Sequence, residues 1–358
     1  MKKIALIMAG GKGERFWPRS REDKPKQFLS FSSDGKTLIQ LTVERILPLI
    51  NVSDVFVVTN KRYYSLIHSQ LPMLPPENIL CEPIGRNTAP CIGLAAAIIE
   101  KRYKQEDVLM LTLPSDHMIV DNDAFGATLE CAFKEAEQHG TLVTIGIVPT
   151  RAETGYGYIC FDSENEIQQV YSVKRFVEKP DIETAKKYVE SGIFLWNSGM
   201  FVWKLSTIIS ELKLLLPNIW DKLARISNAI GSEQYDDILN KEYSSLSPIS
   251  IDYGVMEKAK SIRVIKGNFG WDDMGSWLAV ERFYGYDKDM NTIRGKAIMK
   301  NCHHVILDGK KRFVACAGLD HTIIVDTDDV LLICDSRHTD EIKSILEEIR
   351  NRDWTEYL

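Results

Sequence analysis

The chain has 358 residues and a formal net charge of −6, with 44% hydrophobic and 26% charged residues. This length allows two domains, and this composition fills a sizeable core and excludes extended disorder. The acidic balance argues against nucleic-acid binding, which shows itself as a basic face, and no apolar run approaches the ~18 residues of a membrane span.

An apolar run at 4–9 reads as a buried strand and leads into Gly10, Gly11, Lys12, Gly13, Glu14 and Arg15. Lys2 and Lys3 before it imitate a signal peptide, but the run is shorter than the ~7–15 residues of a secretory apolar region. Further strands are predicted at 54–59, 78–82, 108–113 and 142–148, with helices near 37–48, 61–70, 88–103 and 121–139 between them. This alternation predicts a Rossmann-like α/β fold with a mixed, mostly parallel sheet, which binds ligands beyond the carboxyl ends of its strands. In the helix from 88, Thr88 suits the N-cap and Pro90 the first turn. The small residues Gly93, Ala95, Ala96 and Ala97 should let that helix pack closely on the sheet.

From 155 to 203 the pattern turns to strands, followed by helical stretches near 205–229 and 233–241, a strand at 263–269 and a helix at 276–283. After about residue 286, β-rich pieces at 297–299, 304–307, 313–317, 322–326 and 330–334 predict a small all-β appendage, closed by an amphipathic helix near 339–351. The expected domains are therefore 1–285 and 286–358. The seven cysteines are scattered and form no C-x-x-C, which predicts reduced thiols in a cytoplasmic protein. Cys302, His303 and His304 lack the spacing of helical metal ligands, so no metal is expected there.

Closely spaced glycines turn backbone N–H groups into one concavity, which suits a polyphosphate. Lys12, Arg15, Arg19, Arg21, Lys24 and Lys26 gather around them against only Glu14, Glu22 and Asp23. That local excess of cations points to an anionic ligand such as a nucleotide. Neither familiar motif fits. A dinucleotide fingerprint would have glycine at Phe16, and a P-loop ending in Gly35-Lys36-Thr37 would have glycine at Ser30. In Pro114-Ser115-Asp116-His117, Asp116 is either a Mg²⁺ ligand or the cap of the next turn. The acids of Trp271-Asp272-Asp273-Met274-Gly275-Ser276 supply either a second metal ligand or a helix cap. Lys179 is either a phosphate contact or a solvated loop lysine. Trp196-Asn197-Ser198-Gly199 sets an amide in an aromatic frame, which suits a sugar or a bulged core strand, and 153–158 reads the same way. Gly85-Arg86-Asn87 offers donors to a base or ribose.

Segments 10–15, 24–28, 85–90, 114–117, 153–158, 176–180, 196–201, 251–258 and 271–277 together resemble the sugar-nucleotide pyrophosphorylases, and among them the mannose-1-phosphate guanylyltransferases. They occur in family order over roughly residues 1–285. The resemblance implies transfer of GMP from GTP to α-D-mannose 1-phosphate, giving GDP-mannose and pyrophosphate. The alternative is the same transfer with a different hexose 1-phosphate or nucleoside triphosphate. It implies that Gly10, Gly11, Gly13, Arg15 and Lys26 wrap the triphosphate, that Asp116 and Asp273 bind Mg²⁺ with Asp272 as a helper, and that Lys179 holds the sugar phosphate. Gly157, Glu178 and Asn197 match hexose contacts, and Arg86, Asn87, Thr88 and Ser115 complete the substrate-binding set. Lys12 and Glu14 stand where relatives often have Ser or Thr, and Phe16 replaces a usual Leu. The tail past 286 suggests a short left-handed β-helix, a device for subunit contact, so a homodimer is expected. Many bacterial relatives continue into a cupin-type isomerase domain; the end at Leu358 predicts no phosphomannose isomerase activity. A rival, an NAD-dependent oxidoreductase, lacks its third glycine. A non-catalytic nucleotide sensor would tolerate loss of Asp116 or Lys179, and both are present.

Overall fold

The apolar runs of the first half become strands β1 (Lys2–Met8), β2 (Val55–Asn60), β3 (Ile79–Glu82), β4 (Val108–Pro114) and β5 (Leu142–Ile147). They are joined in one nine-stranded sheet by β6 (Gly157–Phe161), β7 (Val170–Glu178), β8 (Phe194–Lys204) and β9 (Ile262–Gly267). The computed structural model describes residues 1–358 apart from positions 12, 33, 105, 165, 167 and 168, so Lys12 of the glycine loop lies outside the described residues. The strand order is β3-β2-β1-β4-β8-β5-β9-β7-β6.

The sheet is parallel across β3-β2-β1-β4, where strand and helix alternate in the sequence. It then turns antiparallel, because β8 enters between β4 and β5 and pairs against both. β5 and β9 are again parallel, and β7 runs against both β9 and β6. The sheet is therefore mixed as expected but not mostly parallel, because β6, β7 and β8, from the strand-rich stretch after residue 155, all run against their neighbours.

Three local expectations are corrected. The helix Thr88–Arg102 is capped by Asn87, whose side chain accepts the Thr88 N–H at 2.8 Å, while the Thr88 hydroxyl accepts from the Ile251 N–H at 2.8 Å. Gly93 serves helix packing and not the sheet, since a Cβ there would stand 2.5 Å from Leu223. The stretch at 205–229 is two helices, Leu205–Leu215 and Pro217–Ala229, because Pro217 brings no N–H and its ring suits a first turn.

The chain divides into two compact units by several crossings and not by one cut. Unit 1, Met1–Gly10 with Thr42–Ser115 and Ile119–Trp271, holds the nine-stranded sheet. Unit 2 gathers Gly11–Leu41, Asp116–Met118 and Asp272–Leu358. In unit 2, Thr292–Arg294, Ile306–Gly309 and Thr322–Asp326 stack in parallel, as do Ala297–Lys300 and Val314–Ala317. Short parallel strands stacked this way make the coil expected of the appendage. Gly295, at φ +143, lies where a Cβ would be 1.8 Å from the Gly309 carbonyl oxygen, so only glycine lets these turns close. The helix Glu341–Asn351 buries Ile342, Leu346 and Ile349 in a core with Phe16, Trp17 and Trp277. The buried carboxylate of Asp308 pairs with Arg19 and, at 2.9 Å, with Arg294, which ties the segment after the glycine loop to the coil. Among the described residues, no helix is long and apolar enough to cross a membrane.

Candidate active site

In unit 2 the glycine loop is shaped by Gly13, whose φ of +60 opens the short 3₁₀ turn Glu14–Phe16. A Cβ on Gly13 would stand 2.5 Å from Lys26 Cβ and 2.6 Å from its backbone nitrogen. The loop and Lys26 therefore touch backbone to backbone. Phe16 is buried behind them, edge-on to Phe31 and tilted against Trp277 at centroid distances of 5.1 and 5.2 Å. Pro25 fixes the approach to the 3₁₀ turn Lys26–Phe28.

Lys26 is buried, and its Nζ makes two contacts. It pairs with Asp116 Oδ2 at 2.8 Å and donates to the Asp273 carbonyl oxygen at 2.5 Å. Packing around Asp116 alone would raise its carboxyl, but the Lys26 ammonium and His117 outweigh this and hold it below the usual carboxylate range. His117, with Nε2 4.0 Å from Asp116 Oδ1, is pushed below its ordinary value by burial, which Asp116 opposes. It is a poor cation, in keeping with a supporting role.

Asp273 sits in a turn with its own restraints. Its Oδ1 accepts the Gly275 N–H at 2.9 Å, and a Cβ on Gly275 would stand 2.8 Å from Asp273 Oδ2. Asp272 is held by Arg282 through both oxygens, at 2.6 and 3.0 Å, and accepts the Met274 N–H at 2.8 Å. It fixes the turn that presents Asp273. Gly13, Arg15, Lys26, Asp116 and Asp273 line one cavity of about 380 Å³, together with Lys343 from the C-terminal helix. Gly11 and Asp272 belong to the same unit without lining that cavity. Asp116 and Asp273 offer hard oxygen donors, the kind a divalent cation such as Mg²⁺ takes. A nitrogen-rich group, His304, Asp320 and His321, brings its ligand atoms within 4.8 Å of one another elsewhere in unit 2, so His304 does find partners, though not Cys302 or His303.

Unit 1 holds the other expected residues in two groups. The first centres on Gly157, opposite Glu178 in the β6–β7 pair. A Cβ on Gly157 would stand 2.6 Å from Glu178 Oε2 and 3.4 Å from Asn197 Cβ, so glycine lets the two polar side chains converge. Asn197 donates to Asp252 Oδ1 at 2.7 Å and accepts the Gly199 N–H at 3.1 Å. Burial lifts the Asp252 carboxyl to about 6, with Asn197 opposing and Glu178 adding to the rise. Asp252 opens the π-helical turn Asp252–Met256, a local geometry that recurs at functional sites. Lys179 has a left-handed φ of 44 and reaches Glu178 Oε1 at 3.2 Å, with its side chain largely exposed. Tyr156, Trp196 and Trp271 frame the group edge to face, and Arg151 lies over Trp196.

The second group lies at the end of β3. Glu82 is buried, accepts a hydrogen bond from the Tyr243 hydroxyl, and has Oε2 3.7 Å from where a Cβ on Gly10 would stand. Burial raises its carboxyl to about 7, against the Tyr243 bond. Arg86 donates to the Ser244 carbonyl, Asn87 caps the following helix, and the Ser115 N–H donates to the Met8 carbonyl at 3.1 Å. The Thr88–Ile251 bond leads directly to Asp252, so the two groups share one network. Sequence reasoning set the segment 82–88 at the ligand-binding ends of the strands but gave Glu82, Asp252 and Lys343 no individual role. An acid closing a β-strand was the available signal for Glu82, and Asp252 lies in a stretch already matched to the family.

The nucleotidyl transferase family model matches residues 4–285, and a "MannoseP isomerase/GMP-like beta-helix domain" model matches residues 295–349. A mannose-1-phosphate guanylyltransferase of Salmonella muenchen is 40% identical over 99% of this chain and 75% of its own length. A second of that name, from Salmonella typhimurium, is 38% identical over 100% of this chain and 74% of its own. Among solved structures, a Thermus thermophilus protein described as a mannose-1-phosphate geranyltransferase superposes with a TM-score of 0.87 at 33% identity, over 98% of this chain and 100% of that one. The chain belongs to the nucleotidyl transferase family, with full-chain curated relatives that include several named mannose-1-phosphate guanylyltransferase.

Proposed function

We propose that this chain transfers GMP from GTP to α-D-mannose 1-phosphate, giving GDP-mannose and pyrophosphate, with Mg²⁺ as its metal. The observation that carries the reading is the unit 2 cavity, in which Arg15, Lys26, Asp116 and Asp273 meet. The names of its relatives support the choice of sugar and base.

In the reaction an oxygen of the sugar phosphate bonds to the α-phosphorus of GTP. The bond from that phosphorus to the bridging oxygen breaks, and its electron pair leaves with pyrophosphate. Both reactants are anions, so repulsion and alignment make the barrier. The attacking phosphate is already ionised and needs no general base. Catalysis is then positioning and charge stabilisation. Arg15 and Lys26 face the charge that grows on pyrophosphate, and Lys179 takes the sugar phosphate. Glu178 and Asn197, brought together by Gly157, accept and donate to the hexose hydroxyls. Asp116 and Asp273 would hold Mg²⁺, leaving room for phosphate oxygens and water, and Lys26 keeps Asp116 ionised for that purpose. When bound, the ion offsets charge on the phosphate oxygens.

The base falls to Gly10, Glu82 and the loop from Arg86 to Thr88. Guanine presents two neighbouring donors, N1–H and N2–H, and a buried carboxylate is their natural acceptor. The seven free thiols support a reducing compartment, and we place the enzyme in the cytoplasm. A homodimer belongs to the same proposal, supported by exposed Ile298, Phe313, Leu331 and Ile333 on the coil.

The direct test is pyrophosphate release across four nucleoside triphosphates and mannose, glucose and N-acetylglucosamine 1-phosphates. GTP with mannose 1-phosphate should be the best pair, and another best pair would replace this reading. Asp116→Asn should cut turnover at least ~100-fold with the fold retained, as expected for an electrostatic group at the reacting phosphates. Near-normal turnover would contradict the assignment. Guanine needs Glu82 ionised, so KM for GTP should fall as pH rises through about 7. Glu82→Gln should flatten that profile and narrow the preference for GTP over ATP; an unchanged profile would remove Glu82 from the base site. Light scattering should give the mass of two chains, and a monomer at working concentration would exclude the dimer.

A further inference from the structure

The unit 2 cavity has one wall that no sequence motif announces, the C-terminal helix Glu341–Asn351, which contributes Lys343. Its significance rests on the reading of that cavity as the triphosphate site. Three ties seat the helix and the chain end beside the glycine loop. Ile342, Leu346 and Ile349 bury in the core that holds Phe16 and Trp17. Arg350 donates to Glu14 at 2.8 Å and to Glu22 at 3.3 Å. The Trp17 indole N–H donates to the Tyr357 carbonyl at 2.7 Å.

These ties also settle the charge around the cavity. Glu14 lines it, but its carboxylate is met by Arg350, and the Asp116 carboxylate is met by Lys26. Among the described residues, no side chain takes the Lys343 ammonium. It stands one residue past the buried Ile342, on the exposed side of the helix, facing a cavity that already holds Arg15 and Lys26. Lys26 is taken up by Asp116, which leaves Arg15 and Lys343 as the cations that a polyanion in this cavity would meet.

We infer that Lys343 is a further substrate contact, binding the outer phosphates of the nucleotide and the departing pyrophosphate. The C-terminal module then takes part in the reaction itself. Lys343→Ala should raise KM for GTP about tenfold and weaken inhibition by pyrophosphate to a similar degree, the loss of one charge-assisted contact. KM for mannose 1-phosphate and the unfolding temperature should stay at their wild-type values, and Lys343→Arg should recover most of the loss. Unchanged GTP and pyrophosphate affinities in Lys343→Ala would overturn the inference. So would a joint shift of both substrates' KM with a lower unfolding temperature, which marks a structural lysine. Wild-type protein that releases no pyrophosphate from any substrate pair would instead overturn the underlying reading of the cavity, and this inference with it.

Discussion

One ammonium group organises the unit 2 cavity of this protein. Lys26 Nζ is bonded at once to the Asp116 carboxylate and to the carbonyl oxygen of Asp273. Three segments far apart in the chain are thereby held together: the turn after Pro25, the Pro114–His117 segment and the turn before Gly275. Gly13 lets Lys26 come this close by leaving room for its backbone, and Gly275 leaves room for the neighbouring Asp273 carboxylate. Removing the ammonium would leave Asp116 half-buried without its partner, a change that costs more than the pair itself contributes. The same bond keeps Asp116 ionised, so local structure and local chemistry have one cause.

Much of this was legible in the sequence, for identifiable reasons. The apolar runs at 4–9 and 108–113 became β1 and β4 because a buried parallel strand is a continuous apolar stretch. Arg15, Lys26, Asp116 and Asp273 could be singled out because each sits beside glycine, proline or a strand end, where side chains are presented and not packed. Lys343 carried no such mark. It is an ordinary helix lysine, and its place follows only from how the helix is seated. The partners of Asp252 and Glu82, Asn197 and Tyr243, lie far along the chain from them, so the sequence did not show what either carboxylate meets. The entry of β8 between β4 and β5 was equally silent, since strand order depends on pairings between distant segments.

Unit 1 reaches its polar groups by a different device. Gly157 clears space, Asn197 spends both ends of its amide on Asp252 and Gly199, and the Thr88–Ile251 bond links this group to the loop before the first long helix. Such bonded networks orient side chains before any ligand arrives. In unit 2 the coil and the last helix do comparable work on the glycine loop, through Asp308 with Arg19 and through Arg350 with Glu14. The β-rich appendage is thus built into the same compact unit as the glycine loop and is not a separate attachment.

The central claim is that Asp116 and Asp273, kept in register by Lys26, hold one divalent ion. Anomalous diffraction from crystals grown with GTP and Mn²⁺ tests it most directly. The account predicts a manganese peak coordinated by both carboxylates. A peak bound to only one of them, or held instead by His304, Asp320 and His321, would contradict it.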